Sequence, residues 1–146
     1  MSEATDELTQ LSIPLPRSLD QRIYMRLSTQ AKAVVLSLTT ASQDELARPP
    51  AMGSFVYALP NRFNAHEPLS TTLFSHEPTL EFTVRLAKLI ARRTQLPTYV
   101  TNSISFADAG MGGTVEEEME AFRSIVDVVL ERLQGGAASA SGNTKA

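Results

Sequence analysis

The chain has 146 residues, 42% of them hydrophobic and 20% charged, with a formal net charge of −3. That length holds one domain with a real core and leaves no room for two ordinary ones, and the composition is that of a soluble globular protein. The acidic balance argues against broad attraction to phosphate backbones, so nucleic acid is not an expected partner.

Residues 1–8 are acidic and polar and are expected to be disordered, since they hold too little apolar surface to offset the entropy of ordering. Glu3, Asp6 and Glu7 come without a basic residue or an apolar run, so neither a secretory signal nor a transit peptide is expected. A single domain is expected over residues 9–134. Leu11, Ile13 and Leu15 alternate with Ser12 and Pro14, the pattern of an edge strand whose amides need not pair. Ile23, Met25 and Leu27 alternate with Arg22, Tyr24, Arg26 and Ser28, and Lys32 to Thr39 supplies a second run, which predicts a hairpin turning at 28–31.

Gln43 to Pro50 reads as a polar loop, and period-two patterning resumes at Phe55, Tyr57 and Leu59. Asn61 to Leu69 is rich in Asn and Pro and predicts a loop, with a short strand over Ser70–Phe74. Pro78 suits the first turn of a helix, which is predicted to run to about Thr94. On its wheel Leu80, Thr83, Val84, Leu86, Ala87, Ile90 and Ala91 share one broad side. Glu81, Arg85, Lys88 and Arg92 lie opposite, with Phe82 and Leu89 on the flank.

Pro97 to Phe106 is strand-like, and Ala107 to Gly113 is a glycine-rich turn. Thr114 and Glu117 form a capping box, and the glutamates 116–118 oppose the positive end of a helix dipole. Val115, Met119, Phe122, Val126, Val129, Leu130 and Leu133 form the predicted core stripe of that helix. Ala121, Ile125 and Val128 widen it sideways into a candidate contact surface. Gly135 is the predicted stop, and residues 135–146, without a large apolar side chain, are expected to be a disordered tail.

No apolar run approaches the roughly 20 residues of a spanning helix, so no membrane partner is expected. The absence of cysteine excludes a disulfide framework, a thiolate zinc site and a cysteine nucleophile, and suits a reducing compartment, the cytoplasm or also the nucleus. His66-Glu67-Pro68 and His76-Glu77-Pro78 contain groups that ligate metals, but proline resets the chain direction and nothing in the spacing gathers them. Gly110-Met111-Gly112-Gly113-Thr114 lies where a phosphate loop would, yet no Lys follows and three glutamates would repel an anion. Serines lack a nucleophile-elbow motif. No catalytic residue, no metal site and no cofactor is expected. The basic helix face is a different matter, because Arg85, Lys88 and Arg92 stand beside the apolar Phe82 and Leu89, a composition common at interface centres.

Several segments in order carry a family resemblance: Arg22-Ile23-Tyr24-Met25-Arg26-Leu27, then Asn61-Arg62-Phe63-Asn64 before Pro68-Leu69-Ser70-Thr71-Thr72-Leu73. Arg85-Leu86-Ala87 through Ala91-Arg92-Arg93-Thr94 leads on to Tyr99-Val100, and Glu117-Glu118-Met119-Glu120-Ala121-Phe122 closes the series. Over about residues 10–123 the chain resembles the proteasome assembly chaperone 4 family. The glycine-rich 107–113 loop and the continuation of the last helix past Phe122 depart from the pattern, so contacts there are not inherited.

The resemblance implies an α+β fold, an antiparallel sheet of about six strands with two main helices packed on it. It also implies dimerisation with a homologous subunit, a proteasome assembly chaperone 3-like chain. The heterodimer would bind an α-type proteasome subunit, the fifth by family precedent, and promote α-ring formation of the 20S core particle without a cofactor. Candidate partner-binding residues are Arg62, Phe63, Phe82, Arg85, Leu89 and Arg92; candidate dimer-interface residues are Tyr24, Arg26, Val35 and Tyr57. A small α+β scaffold or trafficking adaptor is the alternative, and a hydrolase or metal enzyme using His66 and His76 a third reading.

Overall fold

A computed structural model describes residues 7–30, 32–42, 44 and 52–145, with side chains described as far as Gln134. Six strands, β1 (Glu7–Pro14), β2 (Arg22–Gln30), β3 (Ala33–Ala41), β4 (Ser54–Leu59), β5 (Leu69–Phe74) and β6 (Thr98–Ser103), form one sheet in the order β1-β2-β3-β6-β4-β5. Helix α1 (Glu77–Thr94) joins β5 to β6, and α2 (Val115–Lys145) follows β6. The fold is α+β, as expected.

The sheet is antiparallel except at its centre, where β3 and β6 run parallel. Parallel neighbours require a long crossover; here it holds β4, β5 and α1, and β6 enters between β3 and β4. The β2–β3 hairpin is tighter than expected. Pairing continues through Ser28–Val35 and Thr29–Val34 to Gln30–Ala33, so residues 28 and 29 belong to the strand rather than the turn. Glu7 and Leu8, expected in a disordered end, pair with Thr29 and Ser28 in β1. Residues 1–6 and most of the expected 43–50 loop lie outside the described residues.

Alternation along the strands buries one face. Ile23, Met25 and Leu27 of β2, Val34, Leu36 and Leu38 of β3, Val56 and Ala58 of β4, and Val100 of β6 are all buried. Leu86, Ala87, Ile90 and Ala91 of α1 close over them in one core with Ala121, Ile125, Val129 and Leu130 of α2. Helix α1 packs on β4, β6 and β5, and α2 lies beside it. Its start is capped by tertiary structure rather than by its own sequence: His76 makes no side-chain cap. The buried Ser54 hydroxyl instead accepts from the His76 amide at 2.9 Å and lies 2.9 Å from the His76 carbonyl. Its end is local, with Gln95 in the left-handed conformation donating its amide to the Ala91 carbonyl.

Two sequence expectations for α2 change. Its core face carries Ala121 and Ile125, the residues read as a sideways contact surface, both closed from solvent. Val128 packs partly buried against the same core. Val115 and Met119, read as core, are 71% and 50% exposed. The cause is the burial of Glu117, whose side chain points inward and sets the helix phase, so 121 and 125, one and two turns on, point inward with it. The helix also runs through Gly135 to Lys145. Gly135, Gly136 and Gly142 each cost about 1 kcal/mol relative to alanine, so this continuation is a weak helix, carried by propagation from the established turns before it into Ala137, Ala138 and Ala140.

Gly53, at the entry to β4, has φ +69°, and a Cβ there would stand 1.9 Å from the Asn102 carbonyl oxygen. Gly112 has φ +79° but open space around it. Gly112→Ala is therefore expected to cost about 1 kcal/mol, the backbone penalty alone, and Gly53→Ala at least about 3 kcal/mol because the β4–β6 ladder must also shift. Urea unfolding of the two variants measures the difference; equal losses would show that the Asn102 contact does not constrain the strand.

Candidate functional site

The sheet face turned away from the helices is the first candidate surface. Cross-strand partners carry one row across all six strands: Leu8–Ser28–Val35–Tyr99–Tyr57–Thr71. The adjoining row is Gln10–Arg26–Ser37–Thr101–Phe55–Phe74. Tyr24 stands in the next, opposite Ser12 and Thr39. All four candidate dimer-interface residues, Tyr24, Arg26, Val35 and Tyr57, thus share this face. Sequence reading missed Tyr99 and Phe55, although strand alternation alone puts them on the same side. Tyr99 is the centre of the patch, stacked on Tyr57 at 4.5 Å between centroids and 6.3 Å from Phe55. Toward β5 the apolar character continues in Leu69, Leu73 and Phe74, each about half exposed. Large contiguous apolar patches of this kind mark interaction sites.

The second surface lies on the opposite side of the domain, between α1 and α2. Phe82 meets Phe122 edge-on at 5.2 Å and Phe106 at 5.9 Å. The Arg85 guanidinium lies 5.1 Å from the Phe122 ring centroid, a cation–π contact. Of the candidate partner-binding residues, Phe82, Arg85 and Leu89 line the resulting groove. Arg93, not Arg92, joins them; Arg92 is exposed elsewhere on α1. Arg62 and Phe63 belong to the β4–β5 loop, at the sheet end where Ala58 pairs with Thr98 and α1 finishes. Phe63 is 99% exposed there, so the six residues form two groups rather than one.

What shapes this second surface is the loop before α2. Thr114 and Glu117 form the expected reciprocal cap: the Glu117 amide donates to Thr114 Oγ1 at 3.2 Å and the Thr114 amide to Glu117 Oε1 at 3.1 Å. The carboxylate also accepts from the Gly113 amide at 2.8 Å and, on Oε2, from the Met111 amide at 2.6 Å. Arg17, in a left-handed turn between β1 and β2, places its guanidinium 3.8 Å from Glu117 and 3.3 Å from Glu120. The glycine-rich segment is therefore wound around an internal anion. The amides that might have cradled a phosphate are already occupied by Glu117.

Burial alone would raise the Glu117 pKa, but the amides of Met111, Gly113 and Thr114, with Arg17, outweigh it and hold the carboxyl below its ordinary value of 4.5. His66 is exposed in the β4–β5 loop and His76 sits at the start of α1. Among the described residues, no group of three or more His, Cys, Asp or Glu side chains is placed to hold a metal ion. Nor is any helix among them long and apolar enough to cross a membrane.

Because the Glu117 pKa is depressed on folding, its contribution to stability is complete above the unfolded value and disappears as pH falls through the folded one. Glu117→Gln keeps one acceptor oxygen and turns an amide donor toward the other amides. It is expected to destabilise the protein at pH 7, with the gap to the parent narrowing below pH 4.5. Urea titrations at several pH values measure this; a gap independent of pH would remove the carboxylate from the account.

Comparison with known proteins fits this geometry. A search of the curated proteins gives no significant match. Among solved structures, a chain in the crystal structure of a chaperone complex for yeast 20S proteasome assembly is similar, with a TM-score of 0.57 at 16% identity. The alignment covers 88% of this chain and 98% of that one, a likeness of fold. The family model of proteasome assembly chaperone 4 matches residues 22–104, from the first residue of β2 to just beyond the end of β6. With strands β2 to β6 and helix α1 all inside that match, the chain belongs to the proteasome assembly chaperone 4 family.

Proposed function

We propose that this chain is one subunit of a chaperone heterodimer that helps order the α ring of the 20S core particle. The open sheet face, with Tyr24, Arg26, Val35, Tyr57 and the central Tyr99, joins it to a proteasome assembly chaperone 3-like subunit. The helical side, with Phe82, Arg85 and Leu89 in the groove and Arg92 elsewhere on α1, contacts an α-type proteasome subunit, the fifth in our reading, and Arg62 and Phe63 at the sheet end form a second, separate contact with it. Family membership carries the proposal, and the aromatic sheet face, which neither described helix covers, supports the dimer within it.

The work is done by differential binding. The heterodimer favours correct α-type neighbours and leaves when later β subunits occupy an overlapping surface. No covalent step or cofactor takes part. The site of action is the cytoplasm, with the nucleus as a second location, a reading consistent with a chain free of cysteine.

Affinity capture of the tagged protein from its own cells, with mass spectrometry of the bound chains, tests the reading. A second small chaperone and early α subunits with few mature β subunits are expected. Recovery of neither would return the protein to the class of small scaffolds or trafficking adaptors. Tyr99→Glu places a charge at the centre of the sheet face and is expected to lower recovery of the chaperone partner at least about tenfold, the loss of one interface anchor. His66→Ala and His76→Ala are expected to leave all recoveries unchanged.

A further inference from the structure

The groove between α1 and α2 has a volume of about 500 Å3 and an apolar floor of Phe82, Leu89, Met119 and Phe122. Both helices start at the same end of the sheet. The start of α1 is tied to Ser54, which pairs with Asn102 near the end of β6. The start of α2 is tied through Glu117 and Arg17 to the β1–β2 turn, beside Arg22 and its partner Ala41 at the end of β3. Since β3 and β6 run parallel, these two ends coincide.

The groove charges are therefore ordered along its length. Glu81 and Glu118 stand near the helix starts; Arg85 and Arg123 follow, and Arg93 lies farthest along, with Asp127 the one acidic side chain among them. Among the described residues, Arg85, Arg93 and Arg123 form no ion pair.

We propose that this groove receives a third helix: an amphipathic segment, acidic in its N-terminal half and basic in its C-terminal half, lying antiparallel to α1 and α2. Its acidic half covers Arg85, Arg123 and Arg93, and its basic half covers Glu81 and Glu118. Acidic residues first and basic residues last is also the order a helix's own dipole favours, so the occupant complements the groove and stabilises itself by the same charges. Antiparallel packing sets its dipole against those of α1 and α2. The apolar floor fits side chains at helical spacing, the helix-in-groove mode of recognition. The inference rests on the assignment of this side of the domain to the proteasome subunit, and it specifies the kind of segment that subunit presents.

The test uses the full chain, 15N-labelled, and a synthetic peptide of about 15 residues, long enough for a marginal helix. It carries leucines at helical spacing, glutamates in its first half, lysines in its second and a nitroxide at its N-terminus. Saturable binding is expected, with paramagnetic broadening of amides strongest around Leu89, Arg93 and Asp127 and weakest around Val115 and Glu118. Arg85→Glu with Arg123→Glu, both at exposed positions, is expected to weaken binding at least about tenfold. Met119→Glu, on the floor and 50% exposed, is expected to do the same without touching the arginines.

No saturable binding, broadening strongest at the Val115 end, or unchanged affinity in both variants would overturn the inference, even where affinity capture recovers α-type subunits. Oriented peptide binding with no α-type subunit captured would instead overturn the proteasome assignment and leave the groove's specificity standing.

Discussion

The buried carboxylate of Glu117 is the constraint around which the helical side of this domain is arranged. Taking a carboxylate out of water is costly unless hydrogen bonds replace its hydration. Here three backbone amides of the glycine-rich loop and its junction with α2, and the Arg17 guanidinium of the β1–β2 turn, surround it. One side chain thus gathers the glycine-rich loop, caps α2 and fixes the rotation of α2 about its axis, and through Arg17 it reinforces the tie to the β1–β2 turn that the Gly110 amide makes with the Pro16 carbonyl. Because that rotation turns Ala121 and Ile125 inward, Val115 and Met119 remain outside. The groove and its exposed floor follow from where a charge was buried.

The sheet poses the complementary problem. Two helices cover one face and leave the other with stacked tyrosines, a phenylalanine, a valine and the half-exposed apolar residues of β5. An antiparallel sheet tolerates water on one face when that face is polar, and the outer ends of this one are: Gln10, Ser12, Thr39 and Ser103 occupy them. The aromatic centre is different. Its composition, aromatic with an arginine at the side, is that of an interface core rather than a solvated face, which is why the proposed dimer contact is placed on it.

How much of this was legible in the sequence depends on how local the deciding interaction is. Strand alternation, the α1 stripe and the Thr114–Glu117 box are short-range patterns, and the structure keeps them. The partner of β3 was not legible. Residues 34–39 look the same whether they pair parallel or antiparallel, and only β6, more than sixty residues later, decides. The phase of α2 was misread because hydrophobicity favoured Val115 and Met119 as core, whereas a buried glutamate took the inward position. Glu117 was visible as a capping residue, but the amides of Met111 and Gly113 that make its burial tolerable come from a loop whose shape the sequence leaves open. Of the candidate contact residues, the sheet set came together because period-two patterning is rigid. The loop pair Arg62 and Phe63 stayed apart from the helix set because nothing local ties that loop to α1.

The parallel seam between β3 and β6 also orders events in time. The chain emerges with β1, β2 and β3 already able to form a meander, and β4 and β5 a hairpin, each stabilised by neighbours close in sequence. Neither half has its central neighbour until β6 is made, because that strand supplies the partner of both β3 and β4. Contacts of such sequence separation form late, after a large loop has closed. Until then two inner strand edges stay open, the condition in which a nascent sheet pairs with the wrong chain. A member of an assembly-chaperone family therefore passes, during its own synthesis, through a stage in which its own strands are open to wrong partners.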